Sequence, residues 1–128
     1  LPAAFCHGDP HPVNVIWGEE GIRGVIDWEF SGYKPEIYDA ALVLGCLGME
    51  DPEALAGPMA LAFIGELRAS GHFDSSSFAV LPEFVTAVRF AWLSDWLRKK
   101  DGDMVEMETD YLNLLHGSRE RLRLAWGR

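Results

Sequence analysis

The chain has 128 residues, 48% of them apolar and 24% charged, which suits one globular domain with a single core. Its net charge of −9 argues against nucleic acid, whose phosphates need a basic face. No apolar run approaches the roughly 20 residues of a membrane span, and no basic segment followed by a long apolar one marks a signal peptide.

Residues 3–6, "AAFC", read as a short strand. "HGDPHPV" follows, where two prolines and a glycine within seven residues force a loop. Residues 14–17, "NVIW", and 22–27, "IRGVID", are rich in β-branched side chains and flank "GEEG". This predicts a β-hairpin. "WEFSGYKPE" is a turn-rich loop. Residues 37–48 predict a buried helix, with Pro35 near its start. "DPEALAGPMALAFIGELRASG" predicts a second helix, capped by Asp51 with Pro52 at its first position. Gly57-Pro58 is a point of kinking or breakage, and Gly71 a stop. "HFDSSS" is a loop. "FAVLPEFVTAVRFAWLSDWLRKK" predicts a long helix whose basic end suits the helix dipole. After the turn "DGD", "MVEMETDYLNLLHGSRERLRLAW" predicts a last helix, with an interruption at Gly117. The fold class is therefore α+β and mostly α: a β-hairpin followed by about four helices. Cys6 and Cys46 have no metal-ligand spacing and read as reduced, buried thiols.

Six side chains able to act as acids, bases or metal ligands crowd into residues 5–30: His7, Asp9, His11, Asn14, Asp27 and Glu29. The turn centres between Glu19 and Glu20, so paired positions sum to about 39–41. Asn14 then lies opposite residue 26 or 27, and directly opposed Cα atoms lie about 4.5–5.5 Å apart. Asn14 and Asp27 thus meet at the open end of the hairpin, where Asp9 enters from the loop. Two carboxylates and an amide oxygen are hard donors, suited to Mg²⁺ rather than zinc.

"HGDPHPVN" resembles the "HGDxxxxN" catalytic loop of the aminoglycoside phosphotransferase and choline kinase family, relatives of the protein kinases. "VIDWEF" is similar to the family's metal-binding segment, and "YDAA" to the "DLA" segment after it. The likeness is close over residues 1 to about 48 and general beyond. It implies the C-terminal lobe of a kinase-like phosphotransferase, which moves the γ-phosphate of ATP to a hydroxyl of a small molecule. By matching position, Asp9 is the base, and Asn14 and Asp27 are the two Mg²⁺ ligands. His7 supports the loop, and Asp39 braces it from the following helix. Val13 departs from the small residue of many members. Family acceptors include aminoglycosides, choline, homoserine and sugars, and the setting implied is cytoplasmic. His11, Glu29, Trp92, Asp95 and Trp96 are the candidate substrate contacts. The last three share one helix face, where two rings and a carboxylate would suit an ammonium group.

A kinase-like enzyme also needs a lobe carrying a glycine-rich cover and a lysine paired with a helix glutamate. Neither pattern occurs here, and the first residue is Leu1, not Met. The expectation is a C-terminal piece of a longer phosphotransferase, its N-terminal nucleotide-binding lobe absent and the isolated chain inactive. Two other readings stand beside it. One is a non-catalytic remnant or self-associating module, dimerising through the apolar face on the strand and first helix that a missing lobe would leave. The other is a zinc hydrolase using the H-x-D-x-H pattern of His7, Asp9 and His11.

Overall fold

The computed structural model describes residues 1–127. The β-rich part comes first and carries the loop of interest; the helices form the core beneath it. Strand β1 (Ala3–Cys6) pairs antiparallel with β4 (Gly32–Pro35), Ala3 opposite Pro35 and Cys6 opposite Gly32. In the sequence, Gly and Pro obscure the strand pattern of residues 32–35, which read as loop. Each strand of a two-stranded ribbon is an edge, so Pro35 can sit at the ribbon's end without leaving a gap in an interior ladder. β2 (Val15–Gly18) and β3 (Gly21–Val25) form the predicted hairpin. Val15 faces Val25 and Gly18 faces Gly21, with one irregularity between Ile16 and Trp17. Beyond the strands, the Ile26 N–H donates to the Asn14 carbonyl at 2.9 Å, which carries the expected register to the open end.

Helix α1 (Tyr38–Glu50) is the centre of the molecule, with Ala40, Ala41, Leu42 and Leu44 buried. The next predicted helix is split. Asp51 caps a 3-10 turn over Pro52–Ala56, its side chain accepting from the Glu53 N–H, and α2 (Pro58–Ala69) restarts at Gly57-Pro58. The loop expected over 72–77 gives way at Ser75 to the short helix α3 (Ser75–Ala79), capped by Asp74. Asp–Ser–Ser is a capping signal that the loop reading overlooked. Buried Ser77 and the Asp74 N–H both donate to one Glu36 oxygen, each at 2.7 Å, tying α3 to the start of α1.

The long helix begins later than expected, as α4 (Leu81–Lys99), because Val80 lies between two helices just ahead of Pro82. α5 (Gly102–Trp126) runs through Gly117 without a break and is capped by Asp101. The described residues therefore hold five α-helices rather than about four. Ile37, Leu44, Leu55, Leu81, Val85, Leu115 and Leu122 are almost wholly buried between them.

Polar links finish this core. Arg89 on α4 donates to both oxygens of Glu108 on α5, at 2.7 and 2.5 Å, and both side chains are buried. The Arg89 guanidinium also lies over the rings of Trp92 and Tyr111. The Tyr111 hydroxyl donates to the Gly45 carbonyl at 2.8 Å. Burial pushes this phenol well above the usual tyrosine range. Gly48 leaves room for the same hydroxyl, since a Cβ there would stand 2.4 Å from it.

Candidate active site

The loop from His7 to Asn14 is held from three sides. From α1, Asp39 accepts the His7 N–H at 2.7 Å on one oxygen and the Gly8 N–H at 2.9 Å on the other. From the end of the hairpin, the Ile26 carbonyl lies 2.9 Å from His7 Nε2. His7 Nδ1 accepts the Asp9 N–H at 3.2 Å. An imidazole that accepts at Nδ1 is neutral and carries its proton on Nε2, so Nε2–H is the donor to Ile26. The ring of Trp28 covers the imidazole, 4.6 Å away between centroids. His7 is buried and both its ring nitrogens are engaged.

Gly8 has φ +88°, and a Cβ there would stand 2.2 Å from the Phe30 carbonyl oxygen. Only glycine fits that backbone and that approach. Gly8→Ala should therefore destabilise the chain by about 2 kcal/mol or more, from the left-handed backbone and the clash together. Urea unfolding measures this; a loss under about 0.5 kcal/mol, within the range of neutral surface changes, would contradict it.

Asp9 and Asn14 meet directly. The buried Asn14 amide donates to the Asp9 carbonyl at 3.0 Å and to Asp9 Oδ2 at 3.2 Å. With Nδ2 occupied, the amide oxygen is left as the free acceptor. Asp27 follows Ile26 at the hairpin's open end, in a left-handed conformation at φ 64°. Among the described residues, no hydrogen bond occupies its carboxylate. A non-glycine residue in that region is uncommon, though aspartate tolerates it better than most.

The other candidates separate. His11 caps the 3-10 turn Pro12–Asn14, its Nδ1 accepting the Val13 N–H at 3.3 Å. Glu29 is exposed in the 3-10 turn Trp28–Phe30 and lines neither cleft beside Asp9. Those two clefts share Asp9, Leu42 and Trp92. One, of about 320 Å³, runs past His11, Cys46 and Glu50. The other, of about 520 Å³, runs past Gly8, Phe30 and Tyr38 to Asp95, Arg98 and Lys99 on α4. Both volumes suit a small ligand. Trp96 lines neither; its ring stacks beside Trp92 at 6.4 Å, with Lys99 over it. Of the two rings, Trp92 alone lines these clefts.

Asp95 does line the larger cleft, but its carboxylate is occupied. Lys99 reaches it at 2.6 Å, and Arg98 pairs with it as well. Hydrogen bonds from Lys99 and Arg98 hold its carboxyl below the usual range. In the sequence, Arg98 and Lys99 mark only a basic helix end. Their i+3 and i+4 spacing from Asp95, the spacing that joined Trp92 to Asp95 and Trp96, was the signal that places them on the same wall.

The donor set can be tested against a metal. Among the described residues, no three His, Cys, Asp or Glu side chains cluster to hold one. His7 also has no free ring nitrogen, so the zinc reading has no ligand set. Asn14 and Asp27 instead offer an amide oxygen and a carboxylate, hard donors of the kind Mg²⁺ takes. That ion commonly takes one or two protein oxygens and completes its shell with water and phosphate.

Several large apolar side chains of the β part are exposed. Phe5, Val13, Trp17, Ile22 and Tyr33 are all more than half exposed. The first helix, expected to share this face, lies inside the core, where it packs against α4.

Residues 1–73 match the family described as phosphotransferase enzyme family. The homoserine kinase of Granulibacter bethesdensis is 31% identical over 121 residues, which is 90% of this chain and 38% of that protein. The homoserine kinase of Rhodopseudomonas palustris is 29% identical over 110 residues, 83% of this chain and 34% of that protein. The homoserine kinase of Beijerinckia indica is 31% identical over 109 residues, covering 82% and 34%. The chain thus spans little more than a third of the length of these relatives. No solved structure matches it significantly. The motif-bearing loop, the hairpin and the helix that holds them all fall inside the matched residues, and the chain belongs to the phosphotransferase enzyme family.

Proposed function

We propose that these residues are the catalytic-loop lobe of a small-molecule kinase, the C-terminal part of a longer phosphotransferase that moves the γ-phosphate of ATP to a hydroxyl. The observation that carries this reading is the Asn14 amide bonded to Asp9 Oδ2 at 3.2 Å, within a loop that Asp39 and His7 hold in place. Asp9 orients the acceptor hydroxyl and takes its proton. Asn14 and Asp27 would hold Mg²⁺, which when bound neutralises charge on the phosphates. His7 and Asp39 act by fixing the backbone that carries Asp9. The apolar face of Phe5, Trp17 and Tyr33 is where we place the nucleotide-binding lobe. Without that lobe the isolated chain is expected to turn over no ATP, since positioning is most of phosphoryl-transfer catalysis.

Homoserine is the first acceptor to test, because the curated relatives are named homoserine kinases. A purely cationic acceptor, such as choline or an aminoglycoside, is disfavoured by the two cations on the cleft wall. The partner class is thus a small molecule; the acidic composition argues against nucleic acid. No described helix is long and apolar enough to cross a membrane. We place the reaction in the cytoplasm, where ATP and reduced thiols coexist. A second reading, a self-associating module without catalysis, is favoured only by the exposed β face.

A titration of the chain with Mn²⁺ in the presence of ATP tests the metal assignment. Paramagnetic broadening should appear first at the Asn14 side-chain amide and the Asp27 backbone amide, and Asp27→Ala should remove it. Broadening confined to the exposed Glu19–Glu20 turn would contradict the assignment.

A further inference from the structure

The larger cleft has an end that the catalytic loop does not explain. Its far wall is one turn of α4, where Arg98 and Lys99 both reach Asp95. Two cations on one carboxylate leave a local excess of positive charge. They also leave donors free. Arg98 uses one nitrogen on Asp95, and a guanidinium presents five N–H donors; a lysine ammonium presents three. Asp95 pins both heads on the wall, which spares part of the ordering cost of binding an anion. Between this wall and Asp9 the lining is largely apolar: Phe30, Tyr38, Leu42, Val88, Ala91 and Trp92. Burial, helped by the Asp39 carboxylate, pushes the Tyr38 phenol up, so no negative charge arises there near neutral pH. The cleft is thus bipolar: a carboxylate that could accept a proton at one end, a bidentate anion receptor at the other, and an apolar stretch between.

We propose that Arg98 and Lys99 recognise a carboxylate on the phosphate acceptor, so that the acceptor is a small hydroxy acid or hydroxy amino acid held with its hydroxyl at Asp9. This rests on the cleft being the acceptor site. The guanidinium fork matches a carboxylate through two parallel N–H···O bonds, and Lys99 adds charge. Asp95 is a positioning residue, acting on the substrate only through the two cations. The assignment goes beyond the loop chemistry: it puts specificity on α4, in residues that the loop motifs do not include. It also reverses the role expected of Asp95 from the sequence, since a carboxylate already carrying two cations is a poor partner for an ammonium.

Three probes separate the groups. L-homoserine carries carboxylate, ammonium and hydroxyl; 4-hydroxybutyrate lacks the ammonium; 3-aminopropan-1-ol lacks the carboxylate. Each is titrated into the chain while the Trp92 indole resonance is followed by NMR. Homoserine and 4-hydroxybutyrate should both bind more tightly than 3-aminopropan-1-ol. The Arg98→Ala/Lys99→Ala double variant should weaken both by about tenfold or more, the value of a charge-assisted pair, while 3-aminopropan-1-ol, facing a freed Asp95 carboxylate, is not weakened. Asp95→Glu, which keeps the charge but moves the two heads it holds, should narrow the preference for the two carboxylates over 3-aminopropan-1-ol, which a purely structural residue would leave alone. Tighter binding of 3-aminopropan-1-ol at Trp92, or homoserine binding unaffected by the double variant, overturns carboxylate recognition and leaves the acceptor cleft standing. If no probe moves the Trp92 resonance, the cleft is not the acceptor site and both readings fail.

Discussion

Glu108→Ala is expected to destabilise the chain by about 3–5 kcal/mol, because it strands a buried guanidinium. Glu108 is fully buried and accepts two hydrogen bonds from Arg89, which is itself only 6% exposed. The intact pair need not be worth much, since removing two charges from water costs several kcal/mol per ion and offsets their attraction. Removing one partner is different: the desolvation cost of Arg89 stays and the compensation goes. Against the roughly 5–15 kcal/mol that holds an ordinary domain together, such a loss would leave much of the population unfolded under mild stress. Urea unfolding of wild type and variant checks it. Two controls give the cause. Glu83→Ala breaks an exposed pair with Arg123 and should cost no more than about 1 kcal/mol. Arg89→Met/Glu108→Leu removes both charges and should recover most of the loss. A Glu108→Ala cost under 1 kcal/mol would mean that water reaches Arg89. The pair matters to the site as well, because Arg89 lies against Trp92, the ring shared by both clefts.

In a protein that joins this lobe to a nucleotide-binding lobe, Asp9→Asn is expected to lower kcat by about 10²–10⁴, the usual contribution of general acid–base catalysis. The substitution is conservative where it needs to be. The Asn14 amide can still donate to an amide oxygen at position 9, and the Asp9 N–H can still donate to His7 Nδ1. What is lost is the basic carboxylate and its charge. KM for ATP should therefore change little, because ATP is held by the metal ligands and the other lobe in this account. Steady-state kinetics against both substrates separates the two effects. A fall in kcat below tenfold would remove Asp9 from the chemistry. A large rise in KM for ATP with kcat unchanged would make it a binding residue instead.

The hairpin was legible because its register is arithmetic. "GEEG" set the turn, β-branched runs set the strands, and Asn14 landed opposite Ile26 as the turn centre required. β1 was legible too, but its partner was not. The Gly32–Pro35 strand is made by pairing with β1 rather than by its own sequence, and long-range pairing leaves no local signal. α3 was missed because five residues are too few to show a period, although Asp74 announced its start. The Arg89–Glu108 pair was invisible for another reason. Neither position differs in type from a solvated helix charge, and only packing two helices together puts both inside. At the candidate site, the loop residues were legible because their order is a motif. Trp96 lines neither cleft; helical spacing says which residues share a face but not which way the face turns.

Phosphoryl transfer to a hydroxyl is the chemistry proposed for this lobe. A ³¹P NMR time course of a protein joining it to a nucleotide-binding lobe, with ATP, Mg²⁺ and L-homoserine, tests it. A phosphomonoester resonance should grow in step with ADP, require Mg²⁺, and vanish in the Asp9→Asn protein. ADP appearing with inorganic phosphate and no ester, or an ester formed equally well by the Asp9→Asn protein, would contradict the account.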